Sequence, residues 1–211
     1  MNGVTDALRA DILSGRFEPG DRLLELPLAE QYECGRAAVR SALIALGSEG
    51  LVSHEANRGA SVRRISIEEA IQITEARVAL ESLIASEAAR RATPDDHAEL
   101  RNIVARMREV VSSDRTGNYS ELNAAFHRQL RVSSRHTVAS ELVANLRNRA
   151  AHHQYRLAIM PGRPAESLEQ HAAIAEAVVA GDEAAAAAAM RDHLASVVDV
   201  LRQWGDARPD A

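Results

Sequence analysis

A single cysteine, Cys34, stands among 211 residues, so the chain can form neither an intramolecular disulfide nor a thiolate metal cluster. Aromatic residues make up only 3%, with 11 glycines and 6 prolines, a composition poor in what β-sandwiches and barrels use for strands and turns. No apolar run approaches the roughly 20 residues that span a bilayer. Residues 1–10 lack the basic-then-apolar order of a signal peptide, so the expectation is a cytoplasmic protein with no membrane partner. Lysine is absent: all 25 basic residues are arginine, whose planar guanidinium suits two-pronged contacts. Thirty acidic residues leave a formal net charge of −5, which speaks against nucleic acid as a partner unless charge is arranged locally.

What is present is a globular composition, 46% hydrophobic and 26% charged, sufficient for a core and incompatible with disorder. Alanine, leucine and glutamate dominate, which predicts a mainly α protein. Val4, Ala7, Leu8 and Ile12 follow helical spacing up to Ser14-Gly15, and Pro19-Gly20 forms a tight type II-like bend. A helix from about Leu26 to Tyr32 and another from Arg36, with Val39, Ala42, Leu43 and Leu46 on one face, are joined by Glu33-Cys34-Gly35. That short glycine-containing connection is the spacing of a helix-turn-helix. Leu51 to His54 and Ala60 to Arg63 read as two strands around the Asn57-Arg58-Gly59 turn. Residues 1–65 are therefore expected to form a winged helix-turn-helix with a short β-hairpin wing. From Ile67 onward, six amphipathic segments separated by Thr93-Pro94, Ser112-Ser113, Ser133-Ser134, Met160-Pro161-Gly162 and Gly181-Asp182 predict an antiparallel six-helix bundle over residues 66–205. Residues 206–211 are expected to form a tail.

The ordered series Ile12, Gly15, Phe17, Pro19-Gly20-Asp21-Arg22-Leu23, Leu28-Ala29-Glu30, Arg36, Val39-Arg40, Glu49-Gly50-Leu51-Val52 and Arg58-Gly59 resembles the GntR-type bacterial transcription regulators. Glu75-Ala76-Arg77, Leu80-Glu81, Phe126-His127, His171, Gly181-Asp182 and His193-Leu194 resemble the FCD domain of the FadR-like group, and six helices rather than seven its VanR-type subset. The resemblance runs over nearly the whole chain.

In such a head, helix donors reach base edges in the major groove while neighbouring arginines hold phosphates. Arg36 and Arg40, spaced i and i+4, share a face; Arg22 follows the Pro-Gly turn; Arg58 and Gly59 form the wing tip. The resemblance implies that Arg22, Arg36, Ala37, Arg40 and Gly59 meet DNA. Three positions depart from the family pattern: Gly35 replaces Ser or Thr, and Ala37-Ala38 replaces Thr-Pro, so neither a side-chain helix cap nor a hydroxyl contact is available there. Residues 1–65 hold eight arginines and nine acids, net −1, so affinity must come from local arrangement and from doubling the site in a homodimer on a palindromic double-stranded operator.

In FCD domains the positions matching Asn123, His127, His171 and His193 bind a metal, and the first is usually aspartate. Asn123 and His127 lie one helical turn apart, and three imidazoles plus one oxygen suit Zn²⁺, with Ni²⁺ or Mn²⁺ as alternatives. The position of Arg77 faces the ligand cavity in the family, where a guanidinium would clamp a small carboxylate effector; an intrahelical ion pair with Glu81 is the competing role. Three functions follow as expectations: a repressor released by a small organic acid bound beside a divalent metal, a regulator answering to metal alone or to no ligand, and a metal-dependent hydrolase. No nucleophile elbow, phosphate loop or His-Glu-x-x-His motif accompanies the histidines, so the chain is expected not to be an enzyme.

Overall fold

A computed structural model describes residues 3–55, 59–113, 119–150, 157 and 160–207. These residues divide into two compact units, Met1–Ser66 with Asn145–Tyr155, and Ile67–Ala144 with Arg156–Ala211.

The first unit opens with α1 (Gly3–Leu13), followed by a two-residue strand β1 (Arg22–Leu23), α2 (Glu25–Gln31), α3 (Arg36–Ser48), β2 (Val52–Glu55) and β3 (Gly59–Val62). The bend before β1 is the one expected from Pro19-Gly20: Gly20 has φ +92°, and the Asp21 N–H donates to the Glu18 carbonyl at 2.9 Å. The wing is a three-stranded antiparallel sheet of order β1-β3-β2, with Arg22 opposite Ser61 and Val52 opposite Val62. β1 is too short to carry an alternating pattern and escapes sequence reading. Leu8, Leu28, Val39, Leu43, Leu46, Leu51 and Val62 are buried together, which places the apolar faces of all three helices against the sheet. Arg9 on α1 makes a two-pronged pair with Glu49, at 2.7 Å to each oxygen, just past the end of α3.

The second unit holds α4 (Ile67–Arg91), α5 (Pro94–Ser112), α6 (Tyr119–Ser134), α7 (Thr137–Arg149, whose last turns group with the first unit), α8 (Arg163–Ala180) and α9 (Glu183–Ala207). The fold is mainly α, a winged helix-turn-helix followed by a helical bundle, as the sequence predicts. The amphipathic segment expected between Ser133-Ser134 and Met160-Pro161-Gly162 forms a helix that ends at Arg149, and most of the remainder lies outside the described residues. Ile84, Leu100, Met107, Phe126, Leu130, Ile174, Met190 and Leu194 form the core. The alanine run of α9 is helical, with Ala186 fully buried, and the Asp182 carboxylate accepts from the Ala185 N–H at 2.9 Å, capping the helix.

α5 begins with a capping box: the Thr93 hydroxyl oxygen accepts from the Asp96 N–H, and the Asp96 carboxylate accepts from the Thr93 N–H. Gln129 and Arg135 also donate to that carboxylate, at 3.0 and 2.6 Å, so the cap fastens α5 to α6. Burial acts to raise the Asp96 carboxyl, but the Thr93 N–H, Arg135 and the Thr93 hydroxyl outweigh it and hold the group at about 2.

Candidate nucleic-acid interface and candidate metal centre

α3 is amphipathic. Val39, Ala42, Leu43 and Leu46 are buried, so the opposite face, carrying Arg36, Ala37 and Arg40, is exposed to solvent. Its first turn has Gly35 at the N-cap with extended backbone and no side-chain capping bond. Arg22 is exposed on β1, and Gly59 opens β3 with φ +82°, a left-handed conformation that favours glycine at the wing. Arg58 lies outside the described residues.

Neither arginine of α3 stands alone. Glu25, the first residue of α2, accepts from Arg40 Nε and Nη2 at 2.8 and 2.9 Å and from Arg36 Nη2 at 3.3 Å. The hydrogen bond from Arg40 is the main reason the Glu25 carboxyl lies below its ordinary value, and the same bond raises the Arg40 guanidinium. Leu24, Leu26 and Ile44 are exposed and line one open groove with Arg36, Arg40 and Gly59. An apolar rim beside two guanidiniums has the chemistry of a major-groove reader, since alkyl groups can touch the thymine methyl while arginines reach guanine or phosphate. Sequence reading missed Glu25 because an acid at the head of a helix also reads as ordinary dipole stabilisation.

In the helical unit, His127 on α6, His171 on α8 and His193 on α9 are all buried, and one ring nitrogen from each lies within 4.8 Å of the others. Each helix delivers its histidine at a turn where the neighbouring apolar residues, such as Phe126, Ile174 and Leu194, face the core. Every ring is oriented through Nδ1. Glu81 Oε2 accepts from His127 at 2.7 Å, Gln170 Oε1 accepts from His193 at 2.8 Å, and the Tyr119 hydroxyl lies 3.3 Å from His171, with Ser167 Oγ at 3.5 Å. With Nδ1 engaged in each case, Nε2 is the nitrogen that would ligate an ion, and a carboxylate or amide behind the imidazole is the second layer that histidine metal ligands use. Burial, then the neighbouring His127 and Arg163, push His193 well below its ordinary value, keeping it in the neutral form a metal requires. The donor set therefore fits a divalent cation of the zinc type. Asn123 sits one turn before His127 on α6 and is half-buried.

Arg77 is buried on α4, and its Nε donates to Glu81 Oε1 at 2.7 Å. Glu81 thus ties a guanidinium to an imidazole, one oxygen for each. The ion pair that competed with effector binding in the sequence is present. Arg163, which the sequence offered no reason to single out, is also buried and donates through Nη2 to Ser196 Oγ at 2.9 Å. Tyr119 is pushed up to about 12, chiefly by burial, with Ser167 and the Arg163 charge acting the other way.

Residues 1–62 match the family model "Bacterial regulatory proteins, gntR family", and residues 72–196 match that of the FCD domain. The transcriptional regulator LutR of Bacillus subtilis is 31% identical, over 90% of this chain and 95% of its own. The transcriptional repressor RspR of Escherichia coli is 27% identical, over 93% and 86%. Among solved structures, E. coli McbR/YncC superposes with a TM-score of 0.84 at 23% identity, covering 95% of this chain and 96% of that one. Among the described residues, no helix is long and apolar enough to cross a membrane.

Proposed function

Because the chain belongs to the GntR family of bacterial regulatory proteins and carries an FCD domain, and so is a DNA-binding transcription regulator rather than an enzyme, we propose that it is a homodimeric repressor whose hold on a palindromic operator is set by a small organic acid bound beside a divalent metal. The observation that carries the reading is the convergence of three buried imidazoles, each already held through Nδ1. His127, His171 and His193 would hold the ion through Nε2, with the Asn123 amide oxygen as the fourth donor. Zinc suits this set best, ahead of nickel or manganese. Bound there, the ion would supply a positive centre to which a carboxylate can attach.

The chain's own residues do the rest. Glu81 fixes the His127 tautomer and orientation while neutralising Arg77. Arg36, Ala37 and Arg40 present the exposed face of α3 to base edges, with Arg22, Arg58 and Gly59 flanking it on the wing. A head of net charge −1 gains little from long-range attraction, so two heads acting on two half-sites supply the affinity. The repressor sense follows RspR, which is described as one.

The test begins with operator selection from a random duplex library, followed by fluorescence anisotropy on zinc-loaded and chelated protein with and without acetate, lactate, succinate or citrate. A palindromic selected site, released by one of the acids only when zinc is bound, is the expected result. Affinity that responds to zinc but to none of the acids would instead support a regulator of metal response.

A further inference from the structure

We propose that Arg163 is an anion contact of the helical domain: its buried Nη1 takes one oxygen of a small carboxylate bound beside the histidine cluster, and Glu166 is the group that the carboxylate displaces. This rests on the reading of that cluster as an acid-responsive site.

Among the described residues of this unit, Arg77 and Arg163 are buried, and they differ in what their N–H groups do. Arg77 is committed, since its Nε holds Glu81, and Glu81 cannot leave it without also loosening its hold on His127. Arg163 is 6% exposed and uses Nη2 on Ser196 Oγ at 2.9 Å, but Nη1 is buried with no hydrogen-bond acceptor among the described residues. The nearest anion is Glu166 Oε2, 3.0 Å from Nη1, without hydrogen-bond alignment and on a side chain 55% exposed. A solvent-facing carboxylate poorly aligned with a buried donor is a weak partner. A buried N–H left without an acceptor is costly, and a carboxylate ligand would satisfy it.

Position connects this donor to the cluster. Ser196 Oγ, which accepts from Arg163, is hydrogen-bonded to Gln170, and Gln170 Oε1 accepts from His193 Nδ1. The guanidinium charge acts on both His193 and Tyr119, and Tyr119 contacts His171. Arg163 also lies in the first turn of the 18-residue helix α8, whose positive end favours an anion. The guanidinium fork selects a planar carboxylate over a neutral amide.

The experiment is calorimetry of acetate, lactate, succinate and citrate against zinc-loaded full-length protein, with zinc content measured after dialysis, on wild type, Arg163→Gln, Arg163→Lys and Glu166→Gln. Arg163→Gln is expected to retain zinc like wild type and to lose at least tenfold in affinity for whichever acid binds, with Arg163→Lys partly restoring it. Glu166→Gln removes the competing carboxylate from a surface position and is expected to tighten the acid severalfold, a gain that a merely structural arginine would not produce. Unchanged or weaker acid binding in Glu166→Gln overturns the proposal, and that variant decides the matter if Arg163→Gln does not fold. Acid binding that Arg163→Gln leaves unaltered overturns this subsite while leaving the acid-responsive reading in place. Absence of any acid binding to zinc-loaded wild type overturns both.

Discussion

Glu25 and Glu81 show how a single carboxylate sets the behaviour of the groups around it. Glu25 receives three hydrogen bonds from Arg36 and Arg40, so on the proposed reading DNA would compete with it for the same guanidiniums. Arg36→Ala and Arg40→Ala are each expected to cost about 1–3 kcal/mol of specific binding. Glu25→Gln is expected to strengthen binding to an arbitrary duplex and to steepen its salt dependence, because it frees positive charge for phosphates; titrations at several salt concentrations read both. An unchanged salt slope would mean that Glu25 does not restrain the arginines in solution. Glu81 is the buried counterpart. Glu81→Gln is expected to weaken zinc retention about 10- to 100-fold, through the orientation of His127. His171→Ala should do more, and Asn123→Asp should act in the opposite direction by adding a negative charge beside the cation. Equal zinc content in all four proteins after dialysis would leave these histidines as polar lining of the bundle.

At the scale of elements, α5 and α6 are fastened by Asp96, which caps one helix and accepts from Gln129 and Arg135 near the end of the other. Its folded-state value of about 2 lies below the unfolded value near 4. The ionised carboxylate therefore contributes stability that is fully present above about pH 4 and lost as pH falls through about 2. Asp96→Ala is expected to lower stability by about 2 kcal/mol at neutral pH and to flatten the acid limb of the stability curve between pH 4 and 2, as read by urea denaturation. An acid limb identical to wild type would assign the sensitivity to other carboxylates. α3 presents the contrary case, a helix whose N-cap is Gly35 and whose first N–H groups receive no side-chain acceptor. An uncapped N-terminus suits a helix that meets phosphate, which can accept those N–H groups itself.

For the whole molecule, the central expectation is two copies on one site. Sedimentation equilibrium of the free protein should give twice the 22.8 kDa chain mass, and the DNA complex should contain two chains per palindrome. A monomer bound to a single half-site with undiminished affinity would remove the reason for invoking a second head.

The winged helix, the six-helix bundle and the grouping of residues into elements were legible in the sequence because each rests on local patterns. Leu8, Ile12, Val39 and Leu46 repeat at helical spacing, Pro19-Gly20 sets a turn whose φ only glycine tolerates well, and Thr93 and Asp182 announce helix starts within three residues of the groups they cap. His127, His171 and His193 could be matched to a family pattern, but their separation of 44 and 22 residues left their proximity to be decided by packing of α6, α8 and α9. The same holds for β1, whose two residues form a strand only because β3 lies beside them. It holds also for Glu25 against α3, and for Arg163, whose burial depends on how α8 packs against α9. Local propensity and periodicity act within a few residues and survive in the sequence; which donor meets which acceptor across tens of residues is a property of packed surfaces, and tertiary structure alone decided it.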